Sequence, residues 1–496
     1  MPVVQRSPEE PRPRRRSSVD QAAGHISTVV RLSKGRSAAD TRRAPFPRGG
    51  EAAHGAQITQ VFCDWPKRSA RSRPLKHARF GTSTDWAGML CPVSQPRFRG
   101  RLQMDFEKPF QPAEYRRRIQ DVKRRMEEAG FDLLICQDPA NMCWLTGYDA
   151  WSFYTPQVVL LHLKSDTPIW IGRLVDVNGA RATTDLPADN IINFSDDRLH
   201  HVELHPYDEV SEIIKSRGWG SDRIGVELDA HFYTARAHQH LVNGLPNAKF
   251  SDSRGLVNWA RLVKSDAELV YMREAGRIVS HTMRQAINNL KPGVPEYEIV
   301  AQIYADQTRG VDGKYGDYTS LCPLIQVDEK TNAPHLTWSD KPLPKSGLVL
   351  LEIGAARRHY HAPLTRTVYM GKPPKEAQHL ANAIIEGGDA VLEMAKPGVI
   401  VDELNTVWLS VLNRHGYVKK GRSGYSIGMN FPPDWGERTV SIRAGEKTVL
   451  QAGMCFHFQS GVRPPAFGAA ISESFVVTEK GGERLADVAR ELIVVD

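Results

Sequence analysis

The pentapeptide LKPGV at residues 290–294 returns almost unchanged as AKPGV at residues 395–399. In both places it separates two stretches with a helical apolar period, and the second stretch runs to a glycine, Gly310 in the first copy and Gly416 in the second. A duplicated helix–turn–helix unit of this kind predicts two similar half-domains facing each other, with a cleft between them. The first long helix is announced by Ser265 and Glu268, spaced as a capping box. Its apolar positions Leu269, Met272, Ala275, Val279, Met283, Ile287 and Leu290 recur every three or four residues until Pro292 and Gly293 stop it. Strand-like runs follow the helical pairs: GLVLLEIG, HYHAPLTRTVYMG, TVLQAGMCFHFQSGV and AAISESFVVTEKG. The pattern predicts an α+β domain over residues 263–496.

Upstream, an amphipathic helix over Ala113–Gly130 precedes the strand FDLLIC, and further β-rich runs fall at Gln157–Leu163, Pro168–Ile171 and Arg223–Glu227. Helical stretches between them predict a compact α/β domain over residues 104–262. It carries Trp144, Tyr148, Trp151, Phe153 and Tyr154 close together. Such a cluster suits either a packed domain interface or a wall facing a substrate.

The net charge of +8 resembles a nucleic-acid signal until it is divided along the chain. Residues 1–103 hold 20 of the 65 lysines and arginines but 7 of the 57 acidic residues, which leaves residues 104–496 net negative. Nucleic acid is therefore not an expected partner of the body of the chain. Residues 1–103 are rich in Arg, Ser, Pro and Gly without a sustained apolar period, which predicts disorder. They read as a basic leader or as an extended gene start ahead of Met104. Cys63, Cys91, Cys136, Cys143, Cys322 and Cys455 are scattered and form no CxxC pair, as expected in a reducing cytoplasm. No run of apolar residues is long enough for a membrane span.

Glu352 and Glu473 lie inside apolar strands. A buried carboxylate is costly unless it is paired or used, so both are candidates for chemistry, with a structural ion pair as the alternative.

The order of these segments resembles the creatinase/aminopeptidase superfamily across about the whole of residues 104–496. The blocks that carry the resemblance are NAPHLTWSDKPLPKSGLVLLEIGAARRHYHAPLTRT, GYSIG, GMCFHFQSGV and ISESFVVTE. It implies a creatinase-like α/β N-terminal domain followed by a pita-bread domain. In metal-dependent members two aspartates, a histidine and two glutamates hold two divalent ions that activate water. Aligned on those motifs, the five positions are here Glu352, Pro363, Tyr425, Gln459 and Glu473, so the resemblance implies a hydrolase without metal or other cofactor. PANMCWLTGYDAWSFYTPQ, IGRLVDVNGARATT and FPPDWGERTVSIR are similar to segments of the ectoine-hydrolysing members. The substrate so implied is ectoine, a cyclic amidinium bearing a carboxylate, with its hydroxylated analogue left open as a second substrate. The product is an N-acetylated 2,4-diaminobutyrate.

In that reading the cationic substrate replaces the cationic metals. Glu352 attacks the amidine carbon or acts as base for a water, Glu473 grips the amidinium, and His335 moves a proton. Tyr425 either donates a hydrogen bond where the metal-binding histidine stood or fills space, and His361 shares the strand face of Pro363. Asp434 and Glu437 lie on a loop where they either meet a ring nitrogen or face water. The substrate carboxylate calls for an arginine, with Arg173, Arg181, Arg366 and Arg438 as candidates. The superfamily also implies a homodimer in which one subunit's aromatic cluster, with Trp144, Tyr148, Trp151 and Tyr154, closes the other's cleft. Three competing readings remain: a metal-dependent proline-specific peptidase, a creatinase-like enzyme for another amidine, and a non-catalytic binding module.

Overall fold

The computed structural model describes residues 106–496, so the expectations for residues 1–103 lie outside the described residues. The first domain begins with α1 (Pro112–Ala129), which has proline in its first turn and ends at Gly130 with φ 78°. The chain continues through β1 (Leu133–Cys136), α2 (Pro139–Thr146), β2 (Val158–His162), β3 (Ile169–Arg173), α3 (Val177–Thr183) and β4 (Ile191–Phe194). It is completed by α4 (Pro206–Ser216), β5 (Arg223–Val226), α5 (Ala235–Gly244), β6 (Lys249–Asp252) and α6 (Leu256–Ala260). The sheet order is β4-β3-β2-β1-β5-β6, with β1 antiparallel to β2 and parallel to β5. β1 and β2 are buried along their whole length, which is why both read as unbroken apolar runs and not as alternating ones.

The second domain opens with α7 (Asp266–Asn288), and its capping box is formed: the Ser265 hydroxyl accepts from the Glu268 N–H while the Glu268 carboxylate accepts from the Ser265 N–H. Next come α8 (Glu296–Arg309), β7 (Leu324–Val327), β8 (Gly347–Arg357), β9 (Tyr360–Met370), α9 (Lys375–Met394) and α10 (Val401–Arg414). The remaining strands are β10 (Gly424–Ile427), β11 (Gly436–Ile442), β12 (Cys455–Phe458), β13 (Glu473–Thr478), β14 (Gly481–Arg484) and β15 (Ile493–Val495). They form two sheets, β15-β9-β8-β7 and β11-β10-β12-β13-β14.

The pentapeptide echo is a structural repeat. Gly293 and Gly398 take nearly the same left-handed conformation, φ 89° and 90°, which a side chain would oppose. Gly293 N–H donates to Leu343 and Leu343 N–H to Val294, while Gly398 N–H donates to Leu450 and Leu450 N–H to Val399. Each turn thus clips a helix pair to the segment entering its own sheet. The helices α7 and α8 pack together, as do α9 and α10; α7 lies on β8 and β9, α9 on β14 and α10 on β11. The two sheets meet where Ser472 N–H donates to the Thr365 carbonyl, Thr365 N–H to Ser472 Oγ at 2.7 Å and Ser474 Oγ to the Pro363 carbonyl at 2.6 Å.

Buried charge fixes the two domains against each other. Trp144 Nε1 of the first domain and Tyr360 Oη of the second both donate to Glu268 at 2.7 Å, while Arg261 Nη2 of the first domain stands 4.0 Å from Glu437, which Lys264 pairs at 2.7 Å. Each carboxylate is out of water, so its alignment with these partners offsets a large desolvation cost and favours one relative orientation. Among the described residues no helix is long and apolar enough to cross a membrane.

Candidate active site

Strand register decides which side chains converge. Glu352 in β8 stands opposite Leu324 in β7 and Thr365 in β9, and cross-strand partners share a face of the sheet. Glu352 is 7% exposed. Burial pushes its carboxyl up to about 7, against the opposing influence of the Arg463 charge and the Gln459 amide. It is therefore poised to exchange a proton near neutrality, which an ordinary surface carboxylate is not.

The other sheet supplies the facing wall. Tyr425 in β10 is opposite His457 in β12, and His457 is opposite Ser474 in β13. A chain of hydrogen bonds runs through this wall. Trp435 Nε1 donates to Tyr425 Oη at 2.8 Å, His457 Nδ1 lies 3.0 Å from Tyr425 Oη, and His457 Nε2 lies 2.8 Å from Ser472 Oγ. Trp435 bears on β8 at Gly354, where a Cβ would come within 2.8 Å of the indole ring. Glycine at 354 is therefore what lets the indole reach across. Burial drops the His457 imidazole to about 3 and raises the Tyr425 phenol, on which the Glu352 charge also acts.

Cations complete the site. Arg463 acts on Glu352 and on Lys419, whose ammonium burial and the Arg463 charge bring down to about 8. The Arg422 guanidinium stands 4.5 Å from the Tyr425 ring centroid. Gly461 makes room for Arg463, since a Cβ there would be 2.7 Å from Nη1.

The residues do not fit a pair of divalent ions. Of the aligned positions, Glu352 is a carboxylate, while Pro363, Tyr425 and Gln459 supply no anionic or imidazole donor. His457 has both ring nitrogens engaged. Among the described residues no group of three or more His, Cys, Asp or Glu is placed to hold a metal.

Several sequence-based expectations are corrected. Glu473 is opposite Phe458, on the other face of β13 from Ser474, and Ser472 Oγ is the group that joins the site wall. The Glu473 carboxylate accepts from Arg366 Nη2 at 2.7 Å, with Arg490 at 3.5 Å and Arg484 at 3.8 Å. Burial still raises its pKa despite these three cations. It is the structural ion pair left open above. Arg366 is fully buried and donates to the carbonyls of Thr365, Ser472, Val488 and Ala489, so it has nothing left for a substrate carboxylate. Arg438 is committed to Asp138 and the Asp229 carbonyl, and Arg173 to Asp196. Arg181 is exposed on α3, in the last turn of that helix.

Glu437 is buried against Lys264 at the domain junction and not on an open loop, while Asp434 is half-buried near Tyr425 and accepts from the Gly436 N–H. His361 lies on the face of Pro363, but Nδ1 bonds the His359 carbonyl at 2.8 Å and Nε2 accepts from the Ser320 N–H at 3.0 Å. Both nitrogens are spent on backbone, so it can position a segment but cannot bind substrate.

His335 is exposed on the loop after the turn at Asp328–Asn332, and among the described residues no hydrogen bond reaches its side chain. The backbone on either side is pinned, because Gln326 Nε2 donates to the carbonyls of Pro334 and Leu336. Gln326 lies two residues from Leu324, the β7 partner of Glu352, and so on the same sheet face.

The aromatic cluster divides. Trp144 is buried at the junction and Tyr148 packs on Trp170 with centroids 5.0 Å apart, so neither is a substrate wall. Trp151 and Tyr154 are 58% and 65% exposed, Trp151 stacking edge-on against Tyr318. His457, Ser472, Trp435, Arg463, Lys419 and Arg422 escaped the sequence reading. Stepping back two positions from Gln459 along its strand would have reached His457.

Residues 118–263 match the creatinase/prolidase N-terminal domain and residues 270–479 the metallopeptidase family M24. The chain is 40% identical over 393 residues to the ectoine hydrolase of Halomonas elongata, covering 78% of this chain and 98% of that one. It is 23% identical to the Xaa-Pro dipeptidase of Pyrococcus furiosus over 76% of this chain and 99% of that one. The prolidase structure from Thermococcus sibiricus superposes with a TM-score of 0.68 at 19% identity, over 77% of this chain and 99% of that one. With its creatinase-type first domain and pita-bread second domain, the chain belongs to the M24 creatinase/aminopeptidase superfamily of hydrolases.

Proposed function

We propose that this chain hydrolyses the cyclic amidine of ectoine to N-acetyl-2,4-diaminobutyrate without a metal. The observation that carries this reading is the charge of the site: one buried carboxylate, Glu352, stands where five metal ligands would, with Arg463 and Lys419 close by. The ring amidinium carries one N–H on each side of its methyl-bearing carbon, so Glu352 accepts from one of them in a charge-assisted hydrogen bond while the positive charge offsets its own. Arg463 and Lys419 then receive the substrate carboxylate, so a zwitterion matches both halves of the site. The 40% identity to an ectoine hydrolase over nearly its whole length supports the same substrate class. Hydroxyectoine differs by a hydroxyl and is the first analogue to compare.

Glu352 either attacks the amidine carbon, so that C–N cleavage leaves an adduct on Glu352 that a water then hydrolyses to the acetamide and the free carboxylate, or takes a proton from a water that attacks directly; on both routes one ring C–N bond breaks and the departing nitrogen gains a proton. His335 is assigned to carry that proton from its pinned loop, and His335→Ala with wild-type kcat would remove it. Asp434, near Tyr425, is assigned to the second ring nitrogen. The exposed Trp151 and Tyr154 supply the apolar surface of a homodimer contact, which light scattering coupled to gel filtration would detect. Cys136, Cys143, Cys322 and Cys455 are free thiols, in keeping with cytoplasmic catalysis.

The test is a proton NMR time course of ectoine with the purified protein in EDTA, with Glu352→Gln as control. Ring opening by the wild type alone is expected. Turnover that EDTA abolishes and Mn²⁺ or Zn²⁺ restores would return the metallopeptidase reading.

A further inference from the structure

The hydrogen-bonded wall has a fixed donor at each end. Thr365 N–H donates to Ser472 Oγ, and Trp435 Nε1–H donates to Tyr425 Oη. Between these ends, two hydrogen bonds join Ser472 to His457 and His457 to Tyr425. The three side chains carry three hydrogens when His457 is neutral, and its burial keeps it so. Two hydrogens fill the two bonds, and one is left over.

It can be left in only two places. If His457 carries its hydrogen on Nδ1, Ser472 donates to Nε2, Nδ1–H donates to Tyr425, and the spare hydrogen is the phenolic one. If the hydrogen is on Nε2, every bond reverses and the spare one belongs to Ser472. Ser472 is fully buried, and among the described residues no further acceptor bonds its hydroxyl. Tyr425 is partly exposed and within the influence of Glu352. A buried donor without an acceptor is disfavoured by about tenfold or more, so the first arrangement dominates.

We infer that Ser472 and His457 are positioning residues that hold the Tyr425 hydroxyl as a committed hydrogen-bond donor into the space beside Glu352. Resting on the amidine reading above, this assigns the donor to the ring nitrogen that gains electron density as the amidine carbon becomes tetrahedral. The hydrogen bond is stronger to that amine-like nitrogen than to the delocalised amidinium, so it favours the transition state over the ground state. No proton need leave Tyr425. Its raised pKa suits a donor that keeps its hydrogen.

The experiment is nitrogen NMR of protein labelled with ¹⁵N-histidine, without substrate. The His457 ring is recognised as a non-titrating imidazole whose shifts move in Tyr425→Phe. An Nδ1–H tautomer is expected, and an Nε2–H tautomer overturns the inference even if the protein turns over ectoine. With substrate, Tyr425→Phe is expected to lower kcat about 100-fold with KM within about threefold. Ser472→Ala is expected to lower kcat about tenfold and admit the second tautomer, with Ser472→Thr restoring both. Wild-type kcat in a folded Tyr425→Phe protein also overturns it. Failure of ectoine turnover alone would count against the substrate assignment and leave the tautomer to judge this inference.

Discussion

Arg366 Nη2 donates to Glu473 Oε1 across 2.7 Å, on the face of β13 turned away from Glu352. The pair is buried, and removing one charge strands the other, which costs about 3 kcal/mol or more. Glu473→Gln should therefore lower the thermal midpoint while leaving kcat and KM of the folded protein within about threefold. A hundredfold loss of kcat in fully folded material would return Glu473 to the chemistry.

The raised Glu352 pKa sets the acid limb of activity. Only the carboxylate form attacks or takes a proton, so kcat/KM should rise with pH through a midpoint near 7. A bound amidinium favours the charged form, which places the midpoint in kcat lower. A profile flat from about pH 5 to 8 would exclude Glu352 as the ionising group.

The same shift has a cost in stability. Folded Glu352 has a pKa of about 7 against an ordinary 4.5, so its contribution is fully present below 4.5 and is lost as pH rises through 7. Glu352→Gln has no charge to bury. Calorimetry should find it more stable than wild type at pH 8 by about 1–3 kcal/mol, with the difference vanishing near pH 4. Equal stability at both pH values would contradict the burial of an ionisable carboxyl.

Arg463 separates binding from chemistry. Arg463→Ala should raise KM for ectoine about 10- to 100-fold with a smaller change in kcat, and should leave binding of an ectoine amide, which has no carboxylate, unchanged. Equal losses for the acid and the amide would deny Arg463 the carboxylate.

Much of the architecture was legible in the residues because it is written in local signals. The capping box at Ser265 and Glu268, the paired KPGV turns with their left-handed glycines, and the apolar strands each follow from neighbours in sequence. Pro363 and Gln459 are likewise legible as departures from the ligand set that the family resemblance implies.

What only the tertiary structure decided is direction and partnership. A strand alternates faces at every residue, so assigning the last ligand position to Glu473 instead of Ser472 exchanges a site group for a core ion pair. Arg366, Glu437 and Trp144 looked free to bind substrate until their partners, remote in sequence, were in place. The Thr365–Ser472–His457–Tyr425–Trp435 chain draws on three strands, β9, β12 and β10, and on the residues just before β13 and β11. Local sequence determines where the chain turns and which segments are apolar, whereas the environment of a buried polar group is set by atoms on other elements, 107 residues apart for Arg366 and Glu473 and 173 for Lys264 and Glu437, and it is that environment that fixes its charge and its donors.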